Sequence, residues 1–123
     1  MIDYREITSG LEIPTELYSD QPYVVKTFDS AWLCVVTTGC GLEGEAGQHI
    51  VTTRSKDRGK TWSELVSVEP ADGPESSYAV PLVGPDGRIF LFYNHNTDNL
   101  RQVRADDPPF EGGWCKRVDS LGY

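Results

Sequence analysis

Apolar and β-branched residues along the chain fall in short bursts, at residues 23–27, 32–38, 50–53, 65–68, 79–83 and 89–93. Each burst has the length of a strand and falls short of a helix. Between them stand turn-forming clusters: Asp29-Ser30, residues 39–47, Asp57-Arg58-Gly59, residues 71–74, and Gly84-Pro85-Asp86-Gly87. Glycine, proline, aspartate and serine at that frequency interrupt any helical pattern, so the sequence predicts an all-β chain joined mostly by tight turns.

An internal repeat sharpens this. Placing Asp29 over Asp86 aligns VVKTFDSAWLCVVTT with PLVGPDGRIFLFYNH, strand over strand and turn over turn. The first unit then has four strands, at 21–27, 32–38, 49–54 and 65–68. Four antiparallel strands per repeat is the make-up of a β-propeller blade. The second unit supplies strands at 79–83 and 89–93, then reads as polar and irregular through NHNTDNLRQVRADDPPFEGG. A third strand is expected only at the very end, so blade one spans 18–70 and an incomplete blade two spans 76–123, about one and a half blades in all.

Composition narrows the partners. The 123 residues carry 19 acidic against 11 basic side chains, a net charge of −8, without any run of Lys or Arg to neutralise phosphates, which argues against nucleic acid. No apolar run approaches the roughly 20 residues of a membrane helix, and MIDYREITSG lacks the basic start and apolar stretch of a signal peptide. The expectation is a protein that does not enter a membrane, cytoplasmic by default. Cys34, Cys40 and Cys115 have no zinc-like spacing and read as reduced thiols, with Cys34 in the core. No metal or cofactor is expected.

The most specific motif is Ser55-Lys56-Asp57-Arg58-Gly59-Lys60-Thr61-Trp62, which fits the Asp-box pattern S-x-D-x-G-x-T-W at every defined position. An aspartate opening a tight turn can accept the backbone N–H groups two and three residues on, and Gly59 can take positive φ at little cost. Ser55 and Thr61 supply local hydrogen bonds, and Trp62 covers the turn. Asp57 is therefore expected to be a structural turn residue and not a catalytic acid. With these flanks the chain resembles the sialidase (neuraminidase) superfamily over roughly residues 18–96. That resemblance implies a six-bladed propeller with the Asp-box on the hairpin between the third and fourth strands of a blade.

In an antiparallel blade the loops alternate between two ends, so the end away from the Asp-box collects Tyr18 to Gln21, the loop 39–49, residues 72–78 and residues 94–101. The resemblance makes this the substrate face for a carbohydrate. Sialidases carry an acid/base aspartate about a dozen residues before the box serine; counting back from Ser55 gives Glu43, with Glu45 beside it, as candidate catalytic carboxyl groups. Glycoside cleavage needs a carboxyl group held protonated, and two neighbouring glutamates could raise each other's pKa; two solvated glutamates in a glycine-rich loop are the alternative. Asp20, Gln21, His49, Tyr78, Asn94, His95 and Arg101 are candidate substrate-binding residues, although either histidine could equally be an ordinary surface residue. The family's Arg-Ile-Pro, whose arginine binds the sialic acid carboxylate, is matched here by Asp20-Gln21-Pro22. An aspartate repels a carboxylate, so a neutral or amino sugar fits better, unless Arg54, Arg101 or arginines from other blades substitute. A non-catalytic carbohydrate-binding or structural module is the other reading. Open blade edges also suggest a homo-oligomer.

Overall fold

The computed structural model describes residues 3, 5–41, 45–97, 102–104 and 114–116. These residues form an all-β structure, with one 3-10 turn at Ile7–Ser9. The strands are β1 (Tyr18–Lys26), β2 (Trp32–Gly39), β3 (Gln48–Ser55), β4 (Val66–Ser67), β5 (Ser76–Val83), β6 (Ile89–His95), β7 (Gln102–Arg104) and β8 (Trp114–Lys116). A four-stranded antiparallel sheet runs β1-β2-β3-β4; β5 pairs with β6 and β7 with β8.

The repeat seen in the sequence is reproduced pair by pair in the backbone. Tyr23↔Val35, Asp20↔Thr37 and Ser19↔Thr38 in the first hairpin become Val80↔Phe92, Ser77↔Asn94 and Ser76↔His95 in the second, each partner 57 positions on. Both hairpins carry a bulge at the same place, between Asp20 and Tyr23 and between Ser77 and Val80. Within those bulges Gln21 and Tyr78 share a positive φ, of 46° and 59°, a conformation uncommon for any residue but glycine. The turns match too. Thr27 N–H donates to the Ala31 carbonyl at 2.9 Å and Ser30 N–H to that of Thr27; Gly84 donates to Arg88 at 2.7 Å and Gly87 to Gly84. This is a type I turn closed by a residue in the left-handed region, Ser30 in one hairpin and Gly87 in the other.

Several expectations about the strands are corrected. The first strand begins at Tyr18 and not at Gln21, so Ser19 and Asp20 lie within β1 and not in a segment preceding it. The bulge explains the misreading, because it breaks the alternation of apolar positions at Gln21-Pro22. The fourth strand is reduced to Val66–Ser67. The stretch read as irregular contains β7, which pairs with β8 at Gln102↔Lys116 and Arg104↔Trp114.

The core lies on both faces of the four-stranded sheet, because β2 and β3 are apolar or β-branched at nearly every position. On one face Val35 and Ile50 pack with Ala79 of β5, bordered by Leu33 and Leu91. On the other, Cys34, Val36 and Val51 are covered by Ile13, Trp62 and Leu65. Cys34 and Cys40 are free thiols; Cys34 is fully buried, and burial pushes its thiol up to about 11.

Candidate functional site

The register sends chemically distinct residues to opposite ends of the sheets. At the first end lie the β1–β2 turn, the Asp-box after β3, and the β5–β6 turn. Ser55 Oγ accepts the Gly59 N–H at 2.7 Å and donates to Asp57 Oδ1 at 2.8 Å. The Asp57 carboxylate accepts the Thr61 hydroxyl at 2.6 Å and the Thr61 N–H at 2.8 Å. Those bonds, from the Thr61 hydroxyl first, hold the Asp57 carboxyl down to about 2. Of the expected bonds two and three residues on, the Lys60 backbone N–H does contribute to holding the Asp57 carboxylate, while the Gly59 N–H goes to Ser55 Oγ, and Thr61, four residues on, adds the strongest bonds. Gly59 has φ +83°, and a Cβ there would approach the Trp32 ring at 3.2 Å and the Trp62 ring at 3.6 Å. Arg54 donates to both oxygens of Asp29 at 2.9 and 2.8 Å, tying this end across the sheet.

The second end brings together the start of β1, the end of β2, the start of β3, the crossover after β4, the start of β5 and the end of β6. Tyr18, Gly39 and Gln48 are aligned across three strands. Tyr78 N–H donates to Thr37 Oγ1 at 3.1 Å and so fixes β5 against this end of β2. Gly39, at φ +135°, is pressed so closely on Gly47 that a Cβ would strike its carbonyl oxygen. Here the interior is polar: Thr37, Thr38, Gln48, His49, Glu75, Ser76, Ser77 and Asn96 are all buried. The Ser76 and Ser77 hydroxyls have no hydrogen-bond partner among the described residues.

His49 is the best-defined side chain of this end. It is 1% exposed, with Nδ1 2.9 Å from the Glu69 carbonyl oxygen and Nε2 3.2 Å from each oxygen of Glu16. A carbonyl oxygen only accepts, so Nδ1 carries a proton; a single further proton between Nε2 and the Glu16 carboxylate satisfies that contact. Glu16 is held in place as its N–H donates to Thr38 Oγ1 at 2.8 Å, and Thr38 Oγ1 donates to the Tyr18 carbonyl at 2.7 Å. On the far side of Glu69, its carboxylate accepts the Tyr93 hydroxyl at 2.5 Å, and that bond raises the Tyr93 pKa.

Of the candidate residues, the fold gathers Asp20, Gln21, Glu45, His49, Tyr78, Asn94 and His95 at this second end. Glu43 and Arg101 lie outside the described residues. His49 is not the exposed donor at a cleft edge that one reading allowed, nor a surface residue: it is sealed beneath Glu16 and Glu69. His95 is exposed. Sequence reasoning missed Glu16, Glu69 and Tyr93, whose roles come from contacts between residues 20 to 33 positions apart. Charge is divided as well. Among the described residues from 16 to 97, Lys26, Arg54, Lys56, Arg58, Lys60 and Arg88 all sit on strand ends and turns of the Asp-box end, alongside Asp29, Asp57 and Asp86, while Glu16, Asp20, Glu45, Glu69, Asp72 and Glu75 belong to the other.

No protein-family model matches the chain, and no curated protein matches it either.

Proposed function

We infer that this chain is part of a sialidase-like Asp-box β-propeller, in a glycoside hydrolase acting on the terminal sugar of a glycan, and that the sugar is neutral or carries an amino group. The observation that carries this reading is the convergence of β1, the β2–β3 connection, the β4–β5 crossover and the end of β6 at the one end opposite the Asp-box. Polar side chains from separate strands meeting at a loop-bearing end are the usual material of a substrate site. Carboxylates accept hydrogen bonds from sugar hydroxyls and attract an ammonium group. The six Lys and Arg residues of β1 to β6 and their turns, Lys26, Arg54, Lys56, Arg58, Lys60 and Arg88, all belong to the opposite end and so are not placed to clamp a sugar carboxylate here. Glu43 and Glu45 remain the candidate catalytic carboxyl groups.

A second reading, a non-catalytic carbohydrate-binding or structural module, is favoured by one observation: Glu16 and Glu69 are already engaged, with His49 and Tyr93. Fluorogenic neutral, amino-sugar and sialic acid glycosides separate the readings. Turnover of a neutral or amino sugar, lost in Glu43→Gln or Glu45→Gln, supports the hydrolase. Glycan binding without turnover supports the binding module. Turnover of sialosides alone overturns the sugar class, and neither binding nor turnover rejects both readings.

A further inference from the structure

Among the described residues, the β5–β6 hairpin is covered on only one side. Ala79 and Leu91 face the four-stranded sheet, whereas Val80, Leu82, Phe90 and Phe92, paired as Val80↔Phe92 and Leu82↔Phe90, point to the opposite side. Leu82 is 55% and Phe92 61% exposed, and Val80 and Phe90 are nearly as open. Four large apolar side chains side by side on one sheet face form the kind of patch that marks an interaction surface.

The repeat identifies what fits this face. Counting back 57 positions, Val80, Leu82, Phe90 and Phe92 correspond to Tyr23, Val25, Leu33 and Val35. That is the face of β1–β2 on which Leu33 and Val35 receive the β5–β6 hairpin within the molecule. What it receives is the side bearing Ala79, Pro81 and Leu91, and their counterparts in the first hairpin are Pro22, Val24 and Cys34. The chain therefore displays an open receiving face on β5–β6, and on β1–β2 a matching face whose β1 part, Pro22 and Val24, is exposed, while Cys34 beside it is already covered by Ile13, Trp62 and Leu65. Beside them runs a cleft of about 490 Å³ lined by Glu12, Ile13, Thr15, Ser19, Pro22 and Val36.

We propose that the outer face of β5–β6 docks the exposed Pro22–Val24 strip of β1 in a second copy of this chain, the part of the repeat-related face that Ile13, Trp62 and Leu65 leave open. The two surfaces differ, so the contact is head-to-tail and propagates until a ring closes or a filament grows.

Sedimentation equilibrium on the purified chain, from low micromolar to several hundred micromolar, is the test. The expected result is a mass that climbs above the 13.7 kDa of one copy, with association weakened at least tenfold by either Phe92→Glu or Val24→Glu. Mixing those two variants should restore one intact contact per pair and stop at twice the monomer mass. Far-UV circular dichroism checks that each variant keeps its β signal; Leu82→Lys, on the same face, replaces Phe92→Glu if the latter unfolds. A monomer across the whole range overturns the proposal. So does association that Phe92→Glu abolishes and Val24→Glu leaves intact, since that would be the hairpin face pairing with itself.

Discussion

The two ends of the sheets are built on opposite plans. At the Asp-box end the turn itself is held locally: Ser55, Asp57, Gly59 and Thr61 satisfy one another within seven consecutive residues, beside the exposed Arg54–Asp29 pair that reaches across the sheet. At the acidic end they are long-range, joining Glu16 to His49, Thr38 to Tyr18 and Tyr78 to Thr37 across strands. A turn held by its own residues survives changes elsewhere in the fold, whereas a cluster assembled from separate strands exists only while those strands stay in register. The local plan suits a fastener and the dispersed plan suits a site.

That contrast can be broken from either side. The largest effect is expected from Gly39→Ala, which forces a β-carbon into the Gly47 carbonyl at positive φ. It should cost about 3 kcal/mol in urea unfolding and shift backbone resonances across the acidic end while leaving those of residues 55–62 in place. His49→Ala comes next. It leaves the Glu69 carbonyl and the Glu16 carboxylate without their buried partner, for a loss of about 2 kcal/mol and faster proteolytic cutting before Tyr18. At the other end, Gly59→Ala places an L-residue at φ +83° against Trp32, and about 1 kcal/mol is expected, with a change in tryptophan fluorescence.

The smallest effect concerns acid. Asp57 titrates at about 2 in the folded chain against an ordinary 3.8, so its contribution to stability is present above pH 4 and lost as the pH falls through 2. Asp57→Asn should flatten that part of the acid unfolding curve and leave the neutral-pH behaviour of the acidic end unchanged. An equal loss at both ends would show that they are not independent.

The same division explains how much was legible beforehand. The bursts at 32–38 and 79–83, the repeat joining Asp29 to Asp86, and the Asp-box all depend on residues close in sequence, and each was readable from pattern and turn chemistry. Even there, the pattern does not tell whether Ser55 or Asp57 accepts the Gly59 amide, since either oxygen can reach it, and the structure gives it to Ser55. The start of β1 was misplaced because a bulge at Gln21 disrupts the two-residue period. The clamp on His49 had no sequence signal: Glu16 stands in a segment without periodicity, and its pairing follows from the register of β1, β2 and β3 together. A polar residue at a strand end reads the same whether the fold leaves it in water or closes over it.

The two thiols described in the core and at the acidic end give the molecule an internal clock. Cys40 is open to solvent, while Cys34 sits under Ile13, Trp62 and Leu65 with its proton held to about pH 11. An alkylating reagent at neutral pH therefore marks Cys40 in the folded chain and reaches Cys34 only in the moments when the sheet parts from its cover. The lag between the two labels, followed peptide by peptide, measures how rarely those openings occur.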